Sequence, residues 1–298
     1  MKRHFCGFLD IVDIFRILEN NVNYQYTVFK HFVVMRNTPA AKVPAASDQP
    51  ARMSSSEKVL GVISVFSEAR PEWTVDEIAA ALGLARTTAY RYARTLTETG
   101  FLAPSHSGSY ILGARIIELD RQIRLGDPLM RAGPAIMATV RERIAGFQML
   151  CSYYGERVIC IYDDVVDRDI NSSYERGRPF PLFRGGPSRV ILAHLPTARL
   201  RHLMLHHPQE IATAGLGRTW PEFSKELRRI RQAGYFAAQG EIHPHNFGIS
   251  APILHSRGVA GCLCVARPMA KLKKKDIDPL IELTVLTAGR ISARIQAQ

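Results

Sequence analysis

The stretch TVDEIAAALGLARTTAYRYARTLTETGFLAPSHSGSYILG, residues 74–113, decides how the chain is read. Thr74 followed three residues later by Glu77 is a capping box, in which hydroxyl and carboxylate each satisfy a backbone N–H at a helix start. Ile78, Ala79 and Leu82 then fall on one helical face. Gly83 ends that helix, because the residue after a last turn often adopts a left-handed conformation. Leu84 anchors the turn, and a third helix begins at Ala85 or Arg86 and is closed by Gly100. Its apolar face is Ala89, Ala93 and Leu96, flanked by Tyr92, and its only acid is Glu98. Two short helices joined by a glycine-containing turn predict a helix-turn-helix. The second helix of such a motif enters the major groove N-terminus first. Arg86, Thr87, Thr88 and Tyr90 are therefore placed for base edges and phosphates, and Arg91 and Arg94 for phosphates further along. Next, Phe101-Leu102 reads as a strand, 105–109 as a turn and 110–112 as a return strand, which makes a wing. His106, Ser107 and Ser109 stand at its tip. The expected partner is double-stranded DNA; the competing reading is a tri-helical protein-interaction module with a hairpin.

Upstream, Ser54, Ser55 or Ser56 can cap a first helix carrying Val59, Leu60, Ile63, Val65 and Phe66, which Arg70-Pro71-Glu72 breaks. Residues 1–37 are rich in aromatics, and Lys2-Arg3 before an apolar stretch resembles a leader. Asp10, Asp13, Arg16 and Glu19 interrupt it and no small-residue cleavage site follows. Residues 38–52 are Pro/Ala-rich and read as a linker, so 1–53 is an extension or carries an accessory helix at 8–19.

The 298 residues suggest about two domains, and a hydrophobic share of 46% with 22% charged residues is that of an ordinary globular protein. No apolar run approaches the roughly 20 residues a membrane helix needs. Five scattered cysteines, Cys6, Cys151, Cys160, Cys262 and Cys264, fit a reducing, cytoplasmic setting. The net charge of +12 invites a phosphate-bearing partner. Residues 54–115 nevertheless hold six basic and six acidic side chains. The excess lies elsewhere, so local arrangement carries the DNA reading.

Residues 128–298 alternate helices and strands. Helices are expected at 128–144, 196–206, 220–234 and 276–297. Strands 147–154 and 157–163 flank Gly155-Glu156, and strands 250–254 and 259–266 flank the turn at 255–258. The fold class is α+β, an antiparallel sheet with flanking helices. The division is 1–53, then a winged helix-turn-helix at 54–115, a helix at 116–127 that connects it onward, and the α+β domain at 128–298.

These residues resemble the isocitrate-lyase-regulator (IclR) family of bacterial transcription regulators. The resemblance rests on Thr74-x-x-Glu77-Ile78-Ala79, Gly83-Leu84, Thr88-x-x-Arg91, Gly100-Phe101-Leu102 and Tyr110-x-Leu112-Gly113. It continues through Arg176-Gly177-Arg178, the run 185–196, Gly234-Tyr235, Gly240-Glu241, the run 249–253 and the run 258–261, covering about 54–295 in order. It implies a homodimer or homotetramer on a near-palindromic operator, a GAF-like sensor, and a small organic or aromatic acid as effector. By position it also implies an effector site at Gly186, Pro187, Gly248, Cys264 and Ala266. Pro187 offers no N–H to a carboxylate. Cys264 and Ala266 stand where serine is common, so the site points to an aromatic or larger hydrophobic carboxylate. The connector carries Ile116, Ile117, Leu119 and Ile123, which suit an amphipathic helix.

Two other readings stay open. Cys262 and Cys264 share a strand face and, with His243 or His245, invite a metal or redox role, although their spacing lacks a metal-ligand pattern. A small-molecule enzyme with an appended winged helix is the other. No nucleophile elbow, P-loop or H-E-x-x-H is present, and Ser188, His194 and Asp163 form a triad only by selection after the fact. No enzyme activity, cofactor or resident metal is expected. His202, His206, His207 and the run Lys271–Lys275 read as solvated surface.

Overall fold

The computed structural model describes residues 54–166 and 175–298; the readings made of residues 1–53 lie outside them. The described chain divides into two compact units at Gln122/Ile123.

In the first unit, α1 (Ser55–Ser64) is capped by Ser54, whose hydroxyl accepts from the Glu57 amide. The two-residue strand β1 (Trp73–Thr74) runs into α2 (Val75–Leu82), and Gly83 follows with φ 62°. The capping box closes as the spacing predicts: Thr74 N–H and hydroxyl both donate to Glu77 Oε2 at 2.9 Å, and the Glu77 amide donates to Thr74 Oγ1. Hydrogen bonding from the Thr74 backbone, then its hydroxyl, lowers the Glu77 carboxyl pKa. Trp73 is buried, donates its indole N–H to Arg70 O, and lies under the Arg70 guanidinium at 3.8 Å. Thr74→Ala removes a cap worth about 1 kcal/mol. Urea unfolding of a Trp220→Phe background, followed by Trp73 fluorescence, should show that loss; an unchanged midpoint would contradict the cap.

The third helix α3 (Arg86–Glu98) follows Ala85 at its N-cap. Ala89, Ala93 and Leu96 are buried as expected, and Tyr92, read as a flank, is core at 7% exposure. Strands β2 (Leu102–Pro104) and β3 (Ser109–Leu112) form the wing, and β1 pairs with β3 to complete a three-stranded sheet in the order β1-β3-β2. Nothing in a two-residue segment reveals a strand by periodicity, so β1 was invisible to sequence reading. Gly113 lets the return strand pass close: a Cβ there would stand 2.1 Å from Gly100 O. Helix α4 (Arg115–Gly126) follows and buries none of its residues.

In the second unit, α5 (Pro128–Ala138) and α6 (Arg141–Ile144) replace the single expected helix at 128–144. Thr139 and Val140 interrupt it, with Thr139 Oγ1 donating to Ile136 O and Val140 at φ −117°. The strands are β4 (Phe147–Tyr154), β5 (Arg157–Val165), β6 (Pro179–Phe180), β7 (Phe236–Gln239), β8 (Asn246–His255) and β9 (Gly258–Pro268). They form one antiparallel sheet in the order β6-β5-β4-β9-β8-β7. Strand alternation sends Phe147, Met149, Cys262 and Cys264 to one face and Leu150, Ile249, Leu263 and Val265 to the other. The first face is covered by α7 (Gly186–Ala193), α8 (Thr197–His206), α9 (Pro208–Thr213) and α10 (Trp220–Ala233). The second is covered by α5, α6 and α11 (Ile277–Gln296). Among the described residues no helix is long and apolar enough to cross a membrane.

Candidate nucleic-acid interface and ligand pocket

On α3, Arg86, Thr87, Tyr90, Arg91 and Arg94 are exposed and Thr88 is half-buried. Tyr90 keeps 54% of its surface in water although it is a large aromatic. The three arginines differ in their surroundings. Arg86 pairs with Asp76 at 2.8 Å, and Arg94 with Glu98 at 2.8 Å, both well exposed. Such surface pairs are worth about 1 kcal/mol or less and yield readily to a phosphate. Arg91 lies 5.5 Å from the Tyr92 ring and has no acid partner among the described residues.

At the wing tip His106 and Ser107 are exposed, and Ser107 has φ 69°, a left-handed conformation that serine seldom adopts. Ser109 does not join them. It is buried, and its hydroxyl donates to Glu72 and is within hydrogen-bonding distance of His106 O. That bond serves to hold the wing, and hydrogen bonding from Ser105, then from Ser109, lowers the Glu72 pKa.

In the second unit Gly186, Pro187, Gly248, Cys264 and Ala266 all line one cavity, together with Met149, Phe180, Ile242, His243, Asn246 and Ser250 among others. Its volume is about 50 Å³, room for a few waters. The N-terminus of α7 forms one wall. Gly185 opens that helix at φ 89°, and Pro187 occupies its first turn, so one donor that a helix start ordinarily offers is missing. Gly186 is held close to β8: a Cβ on it would meet Ser250 Oγ at 2.5 Å. Gly248 has space, since a Cβ on it would stand 4.0 Å from its nearest neighbours, Ala238 O and Val265 O.

The strap between β7 and β8 closes the cavity and carries Glu241. Arg189 Nε donates to Glu241 Oε1 at 2.7 Å and Arg189 Nη2 to Ala214 O at 2.8 Å, tying the strap to α7. Both side chains of this pair are largely buried. His243 also lines the cavity, and burial, then the nearby Arg178 charge, lowers its pKa. Sequence reading placed Gly248 at the site but not Ser250. A longer β8 would have found it, because Gly248 and Ser250 share a face at period two.

Cys262 and Cys264 are buried and free, as are Cys151 and Cys160. Cys151 pairs across the sheet with both Cys160 and Cys262. Burial pushes the Cys151 and Cys264 thiols well up. Reactive thiols need the opposite, exposure and a lowered pKa. Among the described residues no group of three His, Cys, Asp or Glu side chains could hold a metal ion. Ser188, His194 and Asp163 each have separate partners: Ser188 Oγ donates to Pro181 O, His194 Nδ1 contacts Val190 O, and Asp163 accepts from the Arg176 amide. His202 and His207, read as plain surface, both turn to Glu156, at 3.5 and 3.1 Å.

Against known proteins, residues 55–105 match the IclR helix-turn-helix domain, and residues 134–293 match the bacterial transcriptional regulator IclR C-terminal domain. The HTH-type transcriptional regulator KipR of Bacillus subtilis is 25% identical over 241 residues, 80% of this chain and 95% of its own. The Pca regulon regulatory protein of Pseudomonas putida is 20% identical over 255 residues, 85% of this chain and 87% of its own. A solved IclR transcriptional regulator from Alicyclobacillus acidocaldarius shares the fold with a TM-score of 0.69 at 20% identity, covering 82% of this chain and all of that one. An IclR homologue from Microbacterium hydrocarbonoxydans, solved in complex with 4-hydroxybenzoate, does so with a TM-score of 0.67 at 22% identity, covering 82% and 100%.

Proposed function

The chain belongs to the IclR family of bacterial DNA-binding transcription regulators, and from that premise we propose that a small organic acid tunes its hold on a near-palindromic operator. Residues 54–115 read DNA, 116–127 transmit, 128–298 bind the effector, and 1–53 are an extension. The observation that carries the effector half is the convergence of Gly186, Pro187, Gly248, Cys264 and Ala266 on a single cavity. Its apolar lining favours an aromatic acid, and the homologue holding 4-hydroxybenzoate supports that class.

A volume of about 50 Å³ is far below the roughly 300 Å³ or more that ligand sites usually provide. We take the strap at 240–245 to give way as the acid enters. Such an opening would give what regulation requires, two conformations that bind the effector unequally. We assign α4 to carrying the bias to the paired readers. Ile116, Leu119 and Ile123 share one of its faces, and Ile117 and Ile123 are 74% and 55% exposed, which supports a homodimer or homotetramer. The cytosol, where its DNA lies, is the proposed location, and regulation rather than turnover is the proposed activity.

The test is binding of the full chain to the DNA upstream of its own reading frame, titrated against salt and then against aromatic and aliphatic acids. We expect sequence-dependent binding with a steep salt dependence, altered by one class of acid. Absence of specific binding there and at neighbouring promoters would shift weight to an enzyme with an appended winged helix.

A further inference from the structure

We infer that the effector presents a hydrogen-bond donor, a hydroxyl or an amine, to Glu241 Oε2, an inference that rests on reading this cavity as the effector site. Among the described residues that line the cavity, Glu241 is the only Asp, Glu, Lys or Arg. Its side chain is 18% exposed. Oε1 is taken by Arg189, while Oε2 is buried and has no hydrogen-bond partner. Arg189 gives its Nε to Oε1 and its Nη2 to Ala214 O, and makes no bond to Oε2. Ser250, which lines the same cavity, is fully buried, and its hydroxyl lies against the Cys264 thiol across the strand pair.

An ionised carboxylate only accepts hydrogen bonds, so a second acceptor cannot satisfy Oε2. Leaving such an oxygen dry is expensive, because the full desolvation penalty stands uncompensated. A ligand whose donor reaches Oε2 supplies the missing bond, and one that covers it without a donor leaves the oxygen dry and loses affinity. A ligand carboxylate set against Oε2 would add repulsion between like charges. The acid's own carboxylate must therefore lie away from Glu241, with its donor turned towards it. Ser250 can give or accept the remaining bond, since a hydroxyl does both. The pocket thus selects a hydroxy or amino acid derivative and discriminates against the unsubstituted acid of the same size.

The experiment is calorimetric titration of the full chain with two matched series: benzoate, its hydroxy, amino and methoxy derivatives; and propionate against lactate. A hydrogen bond to a charged group implies that donor-bearing acids bind about tenfold tighter or more than their parents, and that the methoxy acid, which cannot donate, does not gain. In Glu241→Gln, whose amide also donates, that preference should shrink to about twofold or less. Parent and methoxy acids binding wild type as tightly as the hydroxy acid would overturn this inference alone. So would a preference that survives Glu241→Gln. The wild-type comparison decides the matter even where the variant fails to fold. Silence across both series would overturn the acid-effector reading itself and take this inference with it.

Discussion

Arg91→Ala is expected to weaken operator binding by roughly 1–3 kcal/mol, about five- to 150-fold, while leaving the fold intact. Of the three arginines on α3, it alone carries no acid partner among the described residues. On the proposed reading, removing it takes away a cation that meets DNA without first giving up a pair. Arg94→Ala should cost less, because wild-type Arg94 must leave Glu98 to make its contact. Salt separates two roles. If Arg91 holds a phosphate, the loss is uniform across sequences and the logarithmic salt slope becomes shallower by about one. If it reads a base, the slope is nearly kept and discrimination at one position relaxes. Unchanged operator affinity, measured by fluorescence anisotropy at two salt concentrations, would sink the assignment of α3 as the reading helix.

Gly261→Ala is expected to destabilise the second unit by on the order of 3 kcal/mol. Gly261 lies in β9 against β4, and a Cβ there would stand 2.2 Å from Cys151 O. That oxygen belongs to backbone inside a sheet, so neither partner can step aside without breaking the ladder. Gly289→Ala, the same chemical change, should act in the opposite sense. Gly289 is exposed within α11, with nothing within 4 Å of a Cβ, and glycine inside a helix is worse than alanine by about 0.5–1 kcal/mol. Urea unfolding followed by Trp220 fluorescence measures both. A Gly261→Ala midpoint equal to the parent's would mean that β4 and β9 do not meet in this register.

Much of the fold was legible because its signals are local. Thr74 with Glu77 declares a helix start within three residues, the serines at 54–56 offer another whose cap the structure gives to Ser54, and Gly83 declares a stop. The hairpins at Gly155 and Gly258 announce themselves by turn residues between apolar runs. Helix α7 escaped, because Gly185-Gly186-Pro187 reads as a loop and its apolar residues are buried on nearly every side, leaving no stripe to find. Strand β7 escaped for want of length, four residues at a sheet edge. The pocket residues were reached by likeness in position, not by any physical signal in their own spacing.

Composition, helix caps, turn residues and apolar periodicity were enough to assign an α+β chain with a winged helix-turn-helix and a second domain built on an antiparallel sheet. Each of these depends on groups a few residues apart, whose geometry the backbone dictates. The partnerships that shape the second unit span much greater separations. Arg189 meets Glu241 across 52 residues, and Cys151 finds Cys160 on one side and Cys262 on the other only once the sheet has formed. Whether a buried oxygen keeps a partner, whether Ser109 faces DNA or Glu72, and whether a glycine tolerates a methyl are questions of packing. Interiors are filled almost without gaps, so only the completed fold sets which atoms lie within a bond's length of one another.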